Sequence, residues 1–228
     1  MSWALVPAAG SGRRFGGEVP KQYLHVAGKP LIAHALDALL AHPRIDGMVV
    51  ALAVDDPRWP GWTSLHGKPV IACAGGGERA DSVLAALRAL PEGVAEDELL
   101  LVHDAARPNL RGEDIGRLID AATACAAGAI LAAPVRDTLK RAGESGRIAA
   151  TEPRDGLWRA LTPQAFRRDL LGRALEAAQL AGIAVTDEAM AVERLGLKPR
   201  LVEGREDNLK VTTPADLALA DFLLARRT

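Results

Sequence analysis

The chain has almost no cysteine, no excess of charge of either sign, few lysines and no long apolar run, and each shortage closes off a class of protein. Its two cysteines, Cys73 and Cys125, are far apart in apolar surroundings and show no C-x-x-C spacing. That excludes a disulfide framework and a cysteine-held metal or redox motif, so both read as core thiols in a reducing compartment. With 28 basic and 29 acidic residues the formal net charge is -1, and no global field draws the chain onto nucleic acid or an acidic membrane. Any anionic partner must be held by a local cluster. No stretch reaches the ~18 uninterrupted apolar residues of a membrane span. The segment Met1 to Pro7 lacks the basic region of an export signal, so a cytoplasmic location is expected. Only Lys21, Lys29, Lys68, Lys140, Lys198 and Lys210 are lysine, which draws attention to each. There is no H-E-x-x-H and no G-x-S-x-G elbow, and hydrolase chemistry has little support.

What is present is an ordinary globular chain of 228 residues, 49% hydrophobic and 25% charged, enough for one large domain with a substantial core. Short apolar runs alternate with segments of helical period, which predicts βα units feeding a mostly parallel sheet flanked by helices. Strands are expected at Trp3 to Pro7, Gly47 to Val54, Val70 to Ala74, Leu99 to Val102, Ala129 to Val135 and Arg200 to Glu203. Helices are expected from Leu31 to before Pro43, Ser82 to Leu90, Glu113 to Ala127, Arg167 to Ala181, Asp187 to Leu195, and after the Thr213-Pro214 cap to the end. Pro57 to Pro69 reads as surface loop. From Arg136 to Arg159 two polar strand-like runs flank Gly143-Glu144-Ser145-Gly146, which predicts a hairpin projecting from the sheet.

Three loops carry candidate chemistry, each directly after an expected strand, where open α/β sheets bind ligands. In the first, small residues Ala8, Ala9, Gly10, Ser11 and Gly12 let backbone N–H groups approach an anion. Arg13, Arg14 and Lys21 add cations, a combination suited to a polyphosphate. It is neither a Walker loop, since no G-K-[ST] closes it, nor a dinucleotide fingerprint, since Phe15 takes the place of the third glycine. In the second, Gly75-Gly76-Gly77-Glu78-Arg79-Ala80-Asp81-Ser82, glycines would let a base or ribose lie against the backbone, while Asp81 or Ser82 would cap a helix equally well. In the third, Asp104 stands at a strand's carboxyl end, a position from which Mg²⁺ on a nucleotide is commonly held. Beside it His103, without a second His or Cys at ligand spacing, reads as structural. Thr138, Arg154, Thr162, Thr186 and Lys210 fall in loops or at strand ends and are unremarkable one by one.

Together these segments resemble a known family. Pro7-Ala8-Ala9-Gly10-Ser11-Gly12-Arg13-Arg14, Pro20-Lys21-Gln22-Tyr23, Gly76-Gly77-Glu78-Arg79-Ala80-Asp81-Ser82, His103-Asp104-Ala105-Ala106-Arg107-Pro108, Ala133-Pro134-Val135-Arg136-Asp137-Thr138, Leu161-Thr162-Pro163-Gln164, Thr186-Asp187-Glu188 and Asn208-Leu209-Lys210-Val211-Thr212 are similar to the motifs of the 2-C-methyl-D-erythritol 4-phosphate cytidylyltransferases, from about Val6 to Leu223. The resemblance implies a Rossmann-like fold, a hairpin arm that builds a homodimer, Mg²⁺ bound with CTP, and a phosphorylated polyol as acceptor. Carried over, Arg14 and Lys21 stabilise charge on the α-phosphate and Ala8 to Gly12 cradle the triphosphate. Gly76, Arg79 and Ser82 form the cytidine side, and Asp104 lies near metal and acceptor. Thr138 and Arg154 on the arm, with Thr162, Thr186 and Lys210, bind the acceptor phosphate, and Arg154 and Lys210 count among the catalytic cations. Gly77 departs from the pattern, since the family often has Asp there. Two alternatives stay open in the sequence: a cytidylyltransferase of the same fold acting on ribitol 5-phosphate, and a nucleotide-binding module without turnover.

Overall fold

The computed structural model describes residues 2–10 and 19–226. In chain order the strands are β1 (Ser2–Pro7), β2 (His25–Val26), β3 (Lys29–Pro30), β4 (Gly47–Leu52), β5 (Ser64–Leu65), β6 (Lys68–Ala74), β7 (Leu99–Val102), β8 (Ala129–Pro134), β9 (Leu139–Ala142), β10 (Ile148–Glu152), β11 (Trp158–Arg167) and β12 (Arg200–Glu203). The helices are α1 (Leu31–Leu40), α2 (Arg79–Arg88), α3 (Gly112–Ala124), α4 (Arg168–Leu180), α5 (Glu188–Glu193) and α6 (Pro214–Ala225). Among the described residues an eight-stranded sheet runs in the order β12-β8-β11-β7-β1-β4-β6-β5. β1 pairs in parallel with both β4 and β7, β4 with β6, and β8 with β12.

The central strands read as continuous apolar runs because both faces are covered. Ala4, Val6, Met48, Val50, Leu99 and Leu101 point to one face, where Ile32, Leu36, Ile115 and Leu118 of α1 and α3 close over them. Their neighbours Leu5, Val49, Ala51, Leu100 and Val102 point to the other, against Val83 and Leu84 of α2 and Leu171, Leu175 and Val192 of α4 and α5. A smaller cluster of Val26, Leu31, Val211, Ala220 and Leu224 seats α6. No described helix is long and apolar enough to cross a membrane.

Three expectations change. The strand β11 has no counterpart in the sequence reading. It pairs antiparallel with both β7 and β8, with a register shift between Ala160 and Gln164, and Pro163 in its middle hides it from any local pattern. The segment 57–69 is only partly loop: β5 folds back on β6, and Trp59 and Trp62, edge to face at 5.2 Å between ring centroids, pack against the core. Cys73 and Cys125 are half-buried rather than in the core. The predicted hairpin forms as β9 and β10, which among the described residues pair only with each other, in a sheet of their own.

Candidate active site

Strand order reverses across β1, with β4 and β6 on one side and β7 on the other. At such a switch point the loops leaving neighbouring strands diverge and open a crevice beyond their carboxyl ends. A cleft of about 740 Å³ lies there. Ala8, Ala9 and Gly10 enter it from β1, Gly76, Gly77, Arg79 and Ser82 from the start of α2, and Asp104 from β7, while Lys21, Lys210 and Thr212 close it from segments at opposite ends of the chain. Ser11, Gly12 and Arg14 lie outside the described residues.

The β1 loop is fixed by hydrogen bonds to its backbone. Ala8 N–H continues the sheet by donating to Ala51 O at 2.7 Å. The buried Gln22 side chain donates through Nε2 to the carbonyls of Ala8, at 2.8 Å, and Gly10, at 3.2 Å, clasping the start of the loop to the segment after its end. Next to it Lys21 Nζ donates to Val211 O at 3.2 Å, and Tyr23 Oη donates to Asp56 at 2.8 Å. Burial, with help from Asp56, pushes the Tyr23 phenol above its ordinary range.

The α2 side relies on close approach. A Cβ at Gly75 would lie 2.6 Å from Ala9 Cβ, and one at Gly76 2.2 Å from Asp81 Cβ, whereas one at Gly77 meets nothing within 4 Å. Ser82 accepts from Gly76 N–H at 3.2 Å, and Asp81 accepts from Glu78 N–H at 3.1 Å. Glu78 is the N-cap of α2, so neither Asp81 nor Ser82 is the cap residue. Asp81 supplies the reciprocal arm of a capping box, and Ser82 ties the glycine turn to the helix.

Asp104 is the electrostatic centre. Arg79 Nε lies 3.0 Å from Oδ1, and Lys210 Nζ and Arg107 Nε lie 3.0 and 3.4 Å from Oδ2. Burial alone would raise this carboxyl, but Arg79, Lys210 and Arg107 hold it well below the usual carboxylate range. The terminal nitrogens of Arg79 meet Glu188 Oε1 and Oε2 at 2.5 and 3.0 Å. No role for Glu188 follows from the sequence. Its only signal was the place beside Thr186 and Asp187, because a buried carboxylate and an exposed one look alike in sequence.

The expectation that Asp104 holds a metal does not fit this geometry. Both of its oxygens face cationic nitrogens, whose charge would oppose a cation at the same oxygens. Thr162 is also placed differently from its expected role as an acceptor-phosphate ligand. Its buried Oγ1 accepts from Asp104 N–H at 3.1 Å and sits 3.0 Å from His103 Nδ1, so the hydroxyl is engaged inside the protein. His103 is the structural residue expected, fully buried and pushed down to about 4 by that burial. Thr138, Arg154 and Thr186 are exposed and do not join the described lining of the cleft. Arg154 donates instead to the carbonyl of Arg136 within the arm, and Thr186 lies just before α5, whose N-cap is Asp187.

The family model for IspD, 2-C-methyl-D-erythritol 4-phosphate cytidylyltransferase, matches residues 2–226. A protein of that name from Xanthomonas campestris pv. campestris (strain 8004) is 65% identical over 99% of this chain and 85% of its own length. One from Stenotrophomonas maltophilia (strain R551-3) is 63% identical over 99% and 97%. Among solved structures, a 4-diphosphocytidyl-2C-methyl-D-erythritol synthase superimposes with a TM-score of 0.84 at 41% identity, covering 98% of both chains. The Francisella tularensis enzyme gives 0.81 at 31% identity, covering 97% of this chain and 98% of its own. The chain belongs to the 2-C-methyl-D-erythritol 4-phosphate cytidylyltransferase family.

Proposed function

We propose that the cleft at the sheet's switch point transfers CMP from CTP to 2-C-methyl-D-erythritol 4-phosphate, giving 4-diphosphocytidyl-2-C-methyl-D-erythritol and pyrophosphate. The observation that carries this reading is the convergence of Lys21 and Lys210, from opposite ends of the chain, on one glycine-lined cleft around Asp104. An acceptor phosphate oxygen attacks the α-phosphorus of CTP in line, the new P–O bond forms as the bond to the bridging oxygen of the β-phosphate breaks, and pyrophosphate leaves with that electron pair. The acceptor phosphate is already ionised at neutral pH, so no general base is needed. The protein's task is to hold two anions together and to stabilise the added charge.

In this reading the backbone from Ala8 to Gly12 cradles the triphosphate, and Lys21, with Arg14, faces the α-phosphate. Gly76, Ser82 and the turn between them take the cytidine, and Lys210 meets the acceptor. When bound with CTP, Mg²⁺ would neutralise charge on its phosphates.

The arm supports a homodimer. An isolated two-stranded hairpin is marginal in water, and Ile148, Leu157 and Trp158 on and beside β9 and β10 leave 66%, 42% and 37% of their surface exposed. A second copy would cover these side chains and place the partner's arm, with its Thr138 and Arg154, over this cleft. Light scattering on a chain lacking the hairpin tip tests this; an active monomer would count against it. The activity itself is tested by pyrophosphate release from CTP and Mg²⁺ with methylerythritol phosphate, ribitol 5-phosphate and no acceptor run side by side. Release with methylerythritol phosphate alone is expected, and release only with ribitol 5-phosphate would move the protein to another acceptor.

A further inference from the structure

Arg79 lines the cleft, yet all three of its guanidinium nitrogens face protein carboxylates: Nε faces Asp104 at 3.0 Å, and the two terminal nitrogens face Glu188 at 2.5 and 3.0 Å. Three of its five N–H groups are spent on these carboxylates. Its planar geometry instead links two carboxylates rigidly, since fixing one edge against Glu188 sets the direction of the other.

Glu188 is itself held with care. It is 1% exposed and opens α5. The buried Gln164 of β11 donates through Nε2 to Asp187 Oδ2 at 2.8 Å and accepts through Oε1 from Ala189 N–H at 2.9 Å, bracketing Glu188 on both sides. Asp187 Oδ1 then accepts from Met190 N–H at 2.9 Å. The first turn of α5 is thus pinned to the sheet, and Glu188 reaches across 109 residues of sequence to Arg79.

We propose that Glu188 is a positioning residue for the transfer reaction. By occupying both terminal nitrogens of Arg79 it turns Nε onto Asp104, and so fixes the carboxylate that aims Lys210. The proposal rests on the cleft being the transfer site. A buried ion pair of this kind is a poor device for stability alone, because well-packed apolar replacements often do as well or better. Its value lies in geometry: without Glu188, two unpaired guanidinium nitrogens would stand in a cleft built for phosphates, where a phosphate oxygen would draw Arg79 off Asp104. Asp104 would then lose one of its three cations, and Lys210 the fixed oxygen it aims along.

The test uses the full chain. In Glu188→Gln, kcat/KM for methylerythritol phosphate is expected to fall at least tenfold, while the Kd for CTP, measured without acceptor, stays within threefold or tightens. A residue that only supported the fold would leave both constants unchanged in the folded fraction. Arg79→Met should show the same acceptor defect, and the double variant Arg79→Met/Glu188→Gln should lose no more than Arg79→Met alone. Additive losses, a tenfold weakening of CTP binding, or wild-type acceptor kinetics in Glu188→Gln would overturn the proposal. If Glu188→Gln does not fold, the apolar pair Arg79→Met/Glu188→Met decides, because it removes both charges together; wild-type kinetics in that pair would also overturn it. A wild-type chain that releases no pyrophosphate overturns the transfer reading itself, an outcome distinct from an active wild type with an unaffected variant.

Discussion

The Lys21 ammonium donates to the Val211 carbonyl oxygen at 3.2 Å across 190 residues of sequence. The contact ties the end of the β1 loop to the segment that carries Lys210 and leads into α6, so two lysines from opposite ends of the chain face one cleft. If Lys21 acts mainly on charge that develops at the α-phosphate, Lys21→Ala should lower kcat by a hundredfold to a thousandfold, about 3 to 4 kcal/mol in the barrier, as loss of an oxyanion donor does. CTP binding by calorimetry should change far less. Equal pyrophosphate release by variant and wild type would remove this role.

Neighbouring glycines of the α2 turn should respond in opposite ways. A Cβ at Gly76 collides with Asp81, at 2.2 Å, whereas one at Gly77 enters open space. Gly76→Ala should therefore distort the turn and raise KM for CTP, while Gly77→Ala should behave as wild type. Gly77→Asp, which restores the aspartate often found in the family, should leave kcat intact and lower KM for CTP through a ribose contact. Steady-state kinetics with CTP as the varied substrate separates these cases, and an unchanged KM in Gly77→Asp would assign no ribose contact to the position.

His103 should make stability depend on pH. Thr162 Oγ1 accepts from Asp104 N–H, which leaves its own proton for His103 Nδ1; Nε2 then carries the ring proton and donates to Arg107 O at 3.1 Å. The buried ring is thus neutral, with its pKa pushed down from 6.5 to about 4 by burial. Between those values the unfolded chain binds the extra proton, so stability rises with pH through this window and is lost as pH falls, by at most about 3 kcal/mol. Urea unfolding at pH 5 and pH 7 should show this slope in the wild type and a shallower one in His103→Asn.

The entry to α6 should carry measurable stability. Thr213 Oγ1 accepts from Asp216 N–H at 3.3 Å, and Asp216 Oδ2 accepts from Thr213 N–H at 2.8 Å and from the backbone and hydroxyl of Thr212 at 2.9 and 2.7 Å. The Thr212 hydroxyl bond, with the backbone bonds beside it, holds the Asp216 carboxyl down at about 2. Thr213→Ala should cost about 1 kcal/mol in urea unfolding. Asp216→Ala should cost more, because it releases Thr212 at the edge of the cleft as well.

How much could be read from sequence differs from element to element. β7 and β12 lie where their apolar runs place them, and α6 begins at its Thr-Pro cap, because local pattern and turn chemistry decide such elements. β11 is not legible in the sequence because a strand inserted antiparallel between β7 and β8 is stabilised by partners far along the chain, and Pro163 breaks its pattern. For the cleft, the loops after β1, β6 and β7 were legible as candidates, because small residues and charges beyond an apolar run mark a sheet's carboxyl edge. The partner of each charge was not legible.

The amino-acid sequence by itself determined the α/β class, the family through its ordered motifs, and the three loops that form the cleft, since all of these depend on residues adjacent in the chain. Only the tertiary structure decided that Thr162 spends its hydroxyl inside the protein, that Asp104 is surrounded by Arg79, Arg107 and Lys210, and that Glu188 holds Arg79. Those pairings cost desolvation and are set by which side chains the folded sheet and its helices bury together, a property of no local stretch of sequence.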